Sequence, residues 1–267
     1  MFQMDAGTAN SVKVVLSSSL RRTLDRRAVE EPYDPEEFRR TSPFHARLVP
    51  DAIWRASKFE RSFVTSIGQG VFEQVAVIVA KGVGHQATQG NREAGLIWTG
   101  QLNEIERILS ELRGNKGRPN WDAELLRIAA TTGMGQQLPL TVISDLFVWK
   151  LDGTKHFYSL KTVKPNLDQT EKAKSDMLKL KAIDAANQAY FALPYNPYLT
   201  RQAYGWKQPF KIFDMHHDSC ILIGEEFWDG VGDAGTYTAL LDVFEEVGKE
   251  FEPEIQEYLA GFEDRES

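Results

Sequence analysis

The sequence predicts an α/β fold in which a mixed central sheet is flanked by helices, and three observations support this. Residues 140–163 have the pattern of a β-hairpin, because two runs rich in Val, Phe, Tyr and Trp flank the turn Asp152-Gly153-Thr154. Residues 54–81 repeat apolar side chains at helical spacing, and residues 168–191 are typical of a second long helix. Helices on both sides of such strands favour one sheet with helical layers.

The first fifty residues predict a helical and irregular arm. Residues 10–30 have helical spacing and carry four arginines, which favour a solvated helix face over phosphate contacts. Residues 30–50 contain four prolines and predict an irregular chain. We therefore expect an arm at residues 1–50 and a domain at residues 51–267 that ends in acidic helices.

The first long helix has two unusual features. Gly68 and Gly70 interrupt it and predict a kink or close packing. Glu73 follows among apolar neighbours, where a carboxylate without a partner is costly. Residues 82–95 are rich in Gly, Gln and Asn and predict a flexible polar loop, with a loop lying against nucleic acid as the alternative. Shorter helices are predicted at residues 102–113 and 121–130.

The C-terminal part predicts further strands and helices. Residues 210–214 and 220–224 have strand patterns, whereas residues 236–249 and 252–262 have helical ones. The loop before them carries four aromatic side chains, for which burial is favoured over stacking on bases: Tyr195, Tyr198, Tyr204 and Trp206. Cys220 is the single cysteine, which excludes an intrachain disulfide and is most simply a buried strand thiol.

Composition bounds the location and the binding partners. Hydrophobic residues make up 42% of the 267, and no apolar run reaches the roughly 18 residues of a membrane span. We expect a cytoplasmic protein with no membrane association. The net charge is −7, but residues 225–267 hold 14 acidic and 2 basic side chains, whereas residues 1–224 hold 24 acidic and 29 basic ones. A basic body with an acidic tail is compatible with polyanion binding by one face.

The hairpin brings together a carboxylate and an ammonium group. If its loop is residues 152–154, Leu151 faces Lys155 and Asp145 faces Lys161. Directly opposed β-carbons lie about 5 Å apart, so this pair can hold a metal-bound water and a phosphate between them. A surface ion pair of little energetic value is the alternative. A two-residue loop would instead place the two side chains on opposite faces.

The segment after the hairpin is densely polar. Four long or polar side chains crowd the exit of the second strand: Lys164, Asn166, Asp168 and Gln169. Asp168 and Glu171 then predict a start of the capping-box type for the next helix. That helix is strongly basic, since it carries Lys172, Lys174, Lys179 and Lys181.

The order of these features resembles the PD-(D/E)xK nuclease superfamily: a helix with Glu73, a strand with Asp145, a strand with Ser159-Leu160-Lys161, then a helix. Two blocks, residues 159–174 and 213–241, resemble type II restriction endonucleases grouped with TdeIII, and residues 192–197 lie between them. The resemblance covers residues 54–247. Serine stands at position 159, where the superfamily has an acid. The resemblance implies that Glu171 or Glu73 supplies the second carboxylate.

The resemblance implies hydrolysis of DNA phosphodiester bonds at a short palindromic double-stranded site by a homodimer. Mg²⁺ would be held by Asp145 with Glu73 or Glu171, beside Ser159 and Lys161. Four residues would contact DNA: Lys164, Asn166, Gln169 and Lys172. Two alternatives stay open. One is a nuclease of the same fold in DNA repair or mobile-element processing, and the other is a DNA-binding module without catalysis.

Overall fold

The computed structural model describes residues 4–260, which form two compact units. The first unit comprises residues 4 and 76–238, and the second comprises residues 5–75 and 239–260. The sequence-based division at residue 50 falls inside the second unit. The separation of an N-terminal arm from an endonuclease-like domain therefore stays a prediction.

The helices follow one another along the whole described chain. In chain order they are α1 (Ala6–Asp25), α2 (Pro35–Thr41), α3 (His45–Leu48), α4 (Asp51–Ser66), α5 (Phe72–Gly82), α6 (Thr99–Arg113), α7 (Trp121–Ala129), α8 (Leu167–Ile183), α9 (Glu225–Val231) and α10 (Thr236–Ala260). Two π-helical turns and two 3-10 turns supplement them, at Arg26–Glu30, Ile67–Val71, Arg201–Ala203 and Pro209–Lys211.

A five-stranded mixed sheet forms the centre of the first unit. Its strands are β1 (Gln86–Trp98), β2 (Gln137–Trp149), β3 (Lys155–Leu160), β4 (Gln188–Leu193) and β5 (Ile221–Ile223), in spatial order β1-β2-β3-β4-β5. The first two pairings are antiparallel and the last two are parallel. The predicted α/β fold with a mixed sheet and flanking helices is therefore confirmed.

Helix α8 connects the parallel strands β3 and β4 and packs on the sheet. Its Met177 lies in the same buried core as Phe157 of β3 and Phe191 of β4. Helix α6 adds Ile105 and Ile108 to this core. Burial of these apolar side chains is the main force that fixes α8 against the sheet. As a result, the end of β3 and the start of α8 are held on a rigid base.

Strand β1 replaces the polar loop predicted at residues 82–95. It spans thirteen residues and pairs with β2 at twelve of them, although only Ala87 and Ile97 of its side chains are buried. An edge strand of this kind is held by backbone hydrogen bonds, so its sequence lacks the apolar alternation that reveals half-buried strands. The loop prediction was wrong for this reason.

Helix α8 ends earlier than predicted, at Ile183 instead of residue 191. The Asp184 carboxylate accepts a hydrogen bond from the Ala186 N–H, and the Asn187 side chain donates to the Leu180 carbonyl. Such local bonds compete with the helix and stop it. The chain then enters β4, so the helical prediction for residues 188–191 was wrong.

The last part of the first unit confirms one predicted strand and contradicts the other. Residues 220–224 contain β5, as expected. Residues 210–214 instead begin in the 3-10 turn Pro209–Lys211, and Phe213 is buried there without strand pairing. Cys220 is buried, as expected, and burial raises the pKa of its thiol well above the ordinary value.

The second unit is helical. Helix α1 confirms most of the helix predicted at residues 10–30, while the stretch predicted as irregular contains α2 and α3. The predicted kink is a π-helical turn, Ile67–Val71, between α4 and α5. The two predicted C-terminal helices are the single helix α10, which continues through Pro253; residues 261–262 of the prediction lie outside the described residues. Within residues 4–260, no helix has both the length and the apolar character that crossing a membrane requires.

Candidate active site

Asp145 and Lys161 meet at the end of the hairpin. The Lys161 ammonium donates a hydrogen bond of 2.6 Å to Asp145 Oδ2, and the Ser159 hydroxyl lies 3.4 Å from the same oxygen. The two charged side chains are partly exposed, at 22% for Lys161 and 35% for Asp145. The carboxylate is therefore held by its neighbours but remains open to solvent and to a substrate.

The backbone around Lys161 is fixed by the sheet. Lys161 directly follows β3, and its N–H donates to the Ala192 carbonyl over 3.0 Å, which continues the parallel pairing with β4. Two aromatic side chains hold the next residues: Tyr204 donates to the Val163 carbonyl and Trp206 to the Pro165 carbonyl. Burial of these rings was expected from their sequence context, but their role in anchoring the segment between Lys161 and α8 was not.

The strand register differs from the predicted one by two residues. Trp149, and not Leu151, pairs with Lys155, because the connection spans residues 150–154 and is closed by a bond from the Lys150 N–H to the Thr154 carbonyl. Asp145 therefore lies opposite Ser159, and Lys161 is its diagonal neighbour. A shift of two residues keeps side chains on the same face. The predicted loop length was wrong, but the predicted meeting of Asp145 with Lys161 is found.

The donors at this point suit a hard cation. A carboxylate and a hydroxyl are oxygen ligands, and Mg²⁺ commonly uses one or two carboxylates together with waters and substrate phosphate. Asp145 and Ser159 thus fit Mg²⁺ chemically. Across residues 4–260, no group of three or more His, Cys, Asp or Glu side chains is arranged to hold a metal ion. A second carboxylate remains a prediction.

Glu171 has a partner other than Asp145 or Lys161. Its carboxylate forms an ion pair with the guanidinium of Arg113, at the end of α6, and Asp168 binds the same guanidinium at 2.9 Å. The predicted capping role of Asp168 and Glu171 was wrong. Asn166 is the N-cap of α8, and it forms a capping box with Gln169. Glu171 as a metal ligand stays a prediction that requires Arg113 to release it.

Glu73 belongs to the second unit, whereas Asp145 belongs to the first. It lies in the first turn of α5 and is half-buried. The sequence predicted one long helix with Glu73 among apolar residues, whereas the structure has a π-helical turn at Ile67–Val71 and then α5, in which Phe72 and Val75 flank Glu73. Its assignment as a metal ligand stays a prediction.

The four predicted DNA contacts lie between the end of β3 and the second turn of α8. Asn166 and Gln169 are engaged in the capping box, with bonds of 2.8 and 3.1 Å between side chain and backbone. Lys172 pairs with Asp176 at 2.6 Å, and the Lys164 ammonium lies 5.8 Å from the centre of the Trp206 ring. Each side chain thus has an intramolecular partner, and contact with DNA stays a prediction.

Comparisons with known proteins give one consistent class. A family model described as the type II restriction endonuclease HinfI matches residues 8–248. The type II restriction enzyme HgiCII of Herpetosiphon aurantiacus is 32% identical over 232 residues, which cover 81% of each chain. HgiEI and HgiBI of the same organism, also type II restriction enzymes, are 29% and 28% identical over alignments of 276 positions, which cover 94% of this chain and 97% of each relative.

The comparisons confirm the class that the motifs implied. The residue blocks had suggested TdeIII within that class, whereas the matching family model is the one described for HinfI. Because the model spans most of the chain, and because a relative above 30% identity covers four fifths of it, the family is established. The chain belongs to the HinfI family of type II restriction endonucleases.

Proposed function

We propose that this protein hydrolyses phosphodiester bonds at a short palindromic site in double-stranded DNA, with Mg²⁺ as cofactor and with Asp145, Ser159 and Lys161 at the reacting phosphate. The observation that carries this proposal is the 2.6 Å contact between Lys161 and Asp145 at the exit of β3. It occurs in a chain whose family consists of site-specific DNA-cleaving enzymes. Since such an enzyme acts on DNA that enters the cell, the cytoplasm is its expected location.

Each residue has a separate role in this proposal. Asp145, with Glu73 or Glu171, would hold Mg²⁺, which supplies a water of lowered pKa and offsets charge on the phosphate when it is bound. The Lys161 ammonium, fixed through its backbone, orients the attacking water or stabilises the negative charge on the oxygens of the pentavalent transition state. Ser159 keeps the Asp145 carboxylate in place by its hydroxyl contact.

We propose that the active form is a homodimer. A palindromic site has two equivalent strands, and a two-fold protein presents one reacting centre to each of them. Sedimentation equilibrium with and without a cognate duplex measures the mass. A complex of one chain per duplex that still cuts both strands would contradict this assignment.

The experiment is cleavage of phage DNA in the presence of Mg²⁺ by the wild type, Asp145→Asn and Lys161→Ala. We expect discrete fragments from the wild type and none from either variant, while Lys161→Ala still shifts a cognate duplex in a gel. Asp122→Asn and Lys81→Ala remove the same charges at exposed positions and should cut normally.

Other results would identify the alternatives. A smear of fragments indicates a nuclease without site specificity, as expected for a role in repair or mobile-element processing. Intact DNA with a gel shift indicates a binding module, which the serine at position 159 would then explain. Substantial cleavage by Asp145→Asn or Lys161→Ala would show that the reacting centre lies elsewhere.

A further inference from the structure

One ion pair shows that strand β2 is sharply bent. Lys155 of β3 lies beside Trp149 of β2, whereas Glu93 of β1 lies beside Val142, seven residues earlier on β2. Seven residues of straight strand span about 23 Å, and extended lysine and glutamate side chains together cover only about half of that. Yet Lys155 Nζ lies 3.1 Å from Glu93 Oε1. Strand β2 must therefore bend between Val142 and Trp149.

Asp145 lies inside this bend. By the register of the two strands, Gly90 of β1 is directly opposite Asp145. Gly90 has a φ of 67°, in the left-handed region that glycine adopts without steric cost. A glycine of this kind inside a strand is typical of a local bend or bulge. The ion pair and the backbone torsion are independent features: the ion pair requires a bend between Val142 and Trp149, and Gly90, opposite Asp145, lies inside that interval.

The segment of β1 beyond the bend lies against the end of α8. A β-carbon built on Gly95 would lie 2.3 Å from Ile183 Cγ2, so the strand and the helix are in close contact there. Ile183 is the last residue of α8, whose first residue follows Lys161 by six positions. The bent segment of β1 thus contacts one end of α8, and the segment that carries Lys161 leads into the other end.

We infer that the ion pair between Lys155 and Glu93 positions Asp145 for catalysis by holding this bend closed. The inference rests on the proposed function, in which Asp145 is the central carboxylate. Lys161 is fixed by its backbone bond to Ala192 on β4, whereas Asp145 moves with the bent segment of β2. Loss of the ion pair therefore changes the separation of Asp145 and Lys161. Lys155 and Glu93 touch neither of them and act only through the backbone.

The test compares kcat, KM and DNA affinity in variants of the ion pair. We expect Glu93→Gln and Lys155→Met to lower kcat by about tenfold or more, because small misplacements of reacting groups are costly. Binding of a cognate duplex without Mg²⁺ should remain close to that of the wild type. The double variant Glu93→Lys with Lys155→Glu restores the attraction in reverse and should recover most of kcat. Glu245→Gln breaks the exposed pair with Lys249 and serves as the control.

Glu93→Asp separates positioning from mere stability. It keeps the charge but shortens the side chain by one methylene, so the chain stays folded while the bend must adjust, and kcat should fall. An unchanged kcat in Glu93→Asp, or in folded Glu93→Gln, overturns the inference while the inactive Asp145→Asn upholds the proposed function. If Asp145→Asn still cuts, both the proposed function and this inference fail.

Discussion

At the residue scale, Asp145 alone is a poor metal site. Its Oδ2 already accepts from Lys161 and Ser159. A divalent cation beside one carboxylate and one ammonium needs further oxygen ligands. Glu171 would first have to leave the guanidinium of Arg113, with which it forms an ion pair. Glu73 lies instead in the first turn of α5, beside the apolar residues Phe72 and Val75, where a carboxylate is costly to bury.

We therefore expect Glu73→Gln to abolish cleavage and to weaken the response to Mg²⁺, and Glu171→Gln to cut at nearly the wild-type rate. Cleavage rates measured across a Mg²⁺ titration distinguish the two variants. Arg113→Gln is the matched control, because it breaks the same ion pair by removing the guanidinium while the Glu171 carboxylate remains. A Glu171→Gln variant that does not cut, beside a Glu73→Gln variant that does, would assign the second carboxylate to α8.

At the scale of elements, the strands and contacts that depend on side-chain patterns could be predicted from the sequence. Those that depend on backbone pairing could not. The meeting of Asp145 with Lys161 followed from aromatic and β-branched runs around a turn, and it survived a loop that is two residues longer than assumed. Strand β1 was missed, because its polar edge is held mainly by backbone hydrogen bonds, which leave no apolar pattern in the sequence. The Lys155–Glu93 contact could not be predicted, since the bend that creates it depends on how two strands and α8 pack together.

The start of α8 tests whether Asn166 does more than cap the helix. Asn166→Ala removes the cap acceptor and should lower the free energy of unfolding by about 1 kcal/mol. Asn166→Ser keeps a good cap but loses the amide, which suits adenine edges. We expect Asn166→Ser to unfold at the same urea concentration as the wild type but to bind cognate DNA more weakly. Equal DNA affinity in the serine variant and the wild type would reduce Asn166 to its capping role.

Strand β3 gives the molecule a pH dependence through His156. Burial, with a smaller effect from the charge of Lys150, lowers the pKa of this imidazole from 6.5 to about 4. The unfolded chain takes up the proton below pH 6.5, whereas the folded chain does so only near pH 4. The free energy of unfolding therefore falls as pH drops through this window. His156→Gln should show a smaller fall in urea unfolding between about pH 7 and about pH 5; an identical fall would contradict this assignment.

At the scale of the whole molecule, most of the chain is basic although the net charge of the protein is negative. Residues 1–224 hold 24 acidic and 29 basic side chains, although the protein as a whole carries −7. The acidic residues after position 224 repel a polyanion, so a DNA-binding enzyme must present its basic part to the duplex. Affinity for DNA should then come largely from lysines and arginines near the phosphates, which makes it sensitive to salt.

We expect the affinity for a cognate duplex to fall steeply as salt rises, with a slope set by the number of phosphates contacted. Lys164 lies beyond the end of β3, so Lys164→Gln should reduce that slope by about one, which is the change expected when one phosphate contact is lost. Lys249→Gln removes the same charge from the acidic helix α10 and should leave the slope unchanged. Fluorescence anisotropy over a salt series, without Mg²⁺, measures this slope for the wild type and for both variants. Affinity that does not depend on salt, or a slope altered more by Lys249→Gln than by Lys164→Gln, would place the DNA on the acidic part of the chain instead.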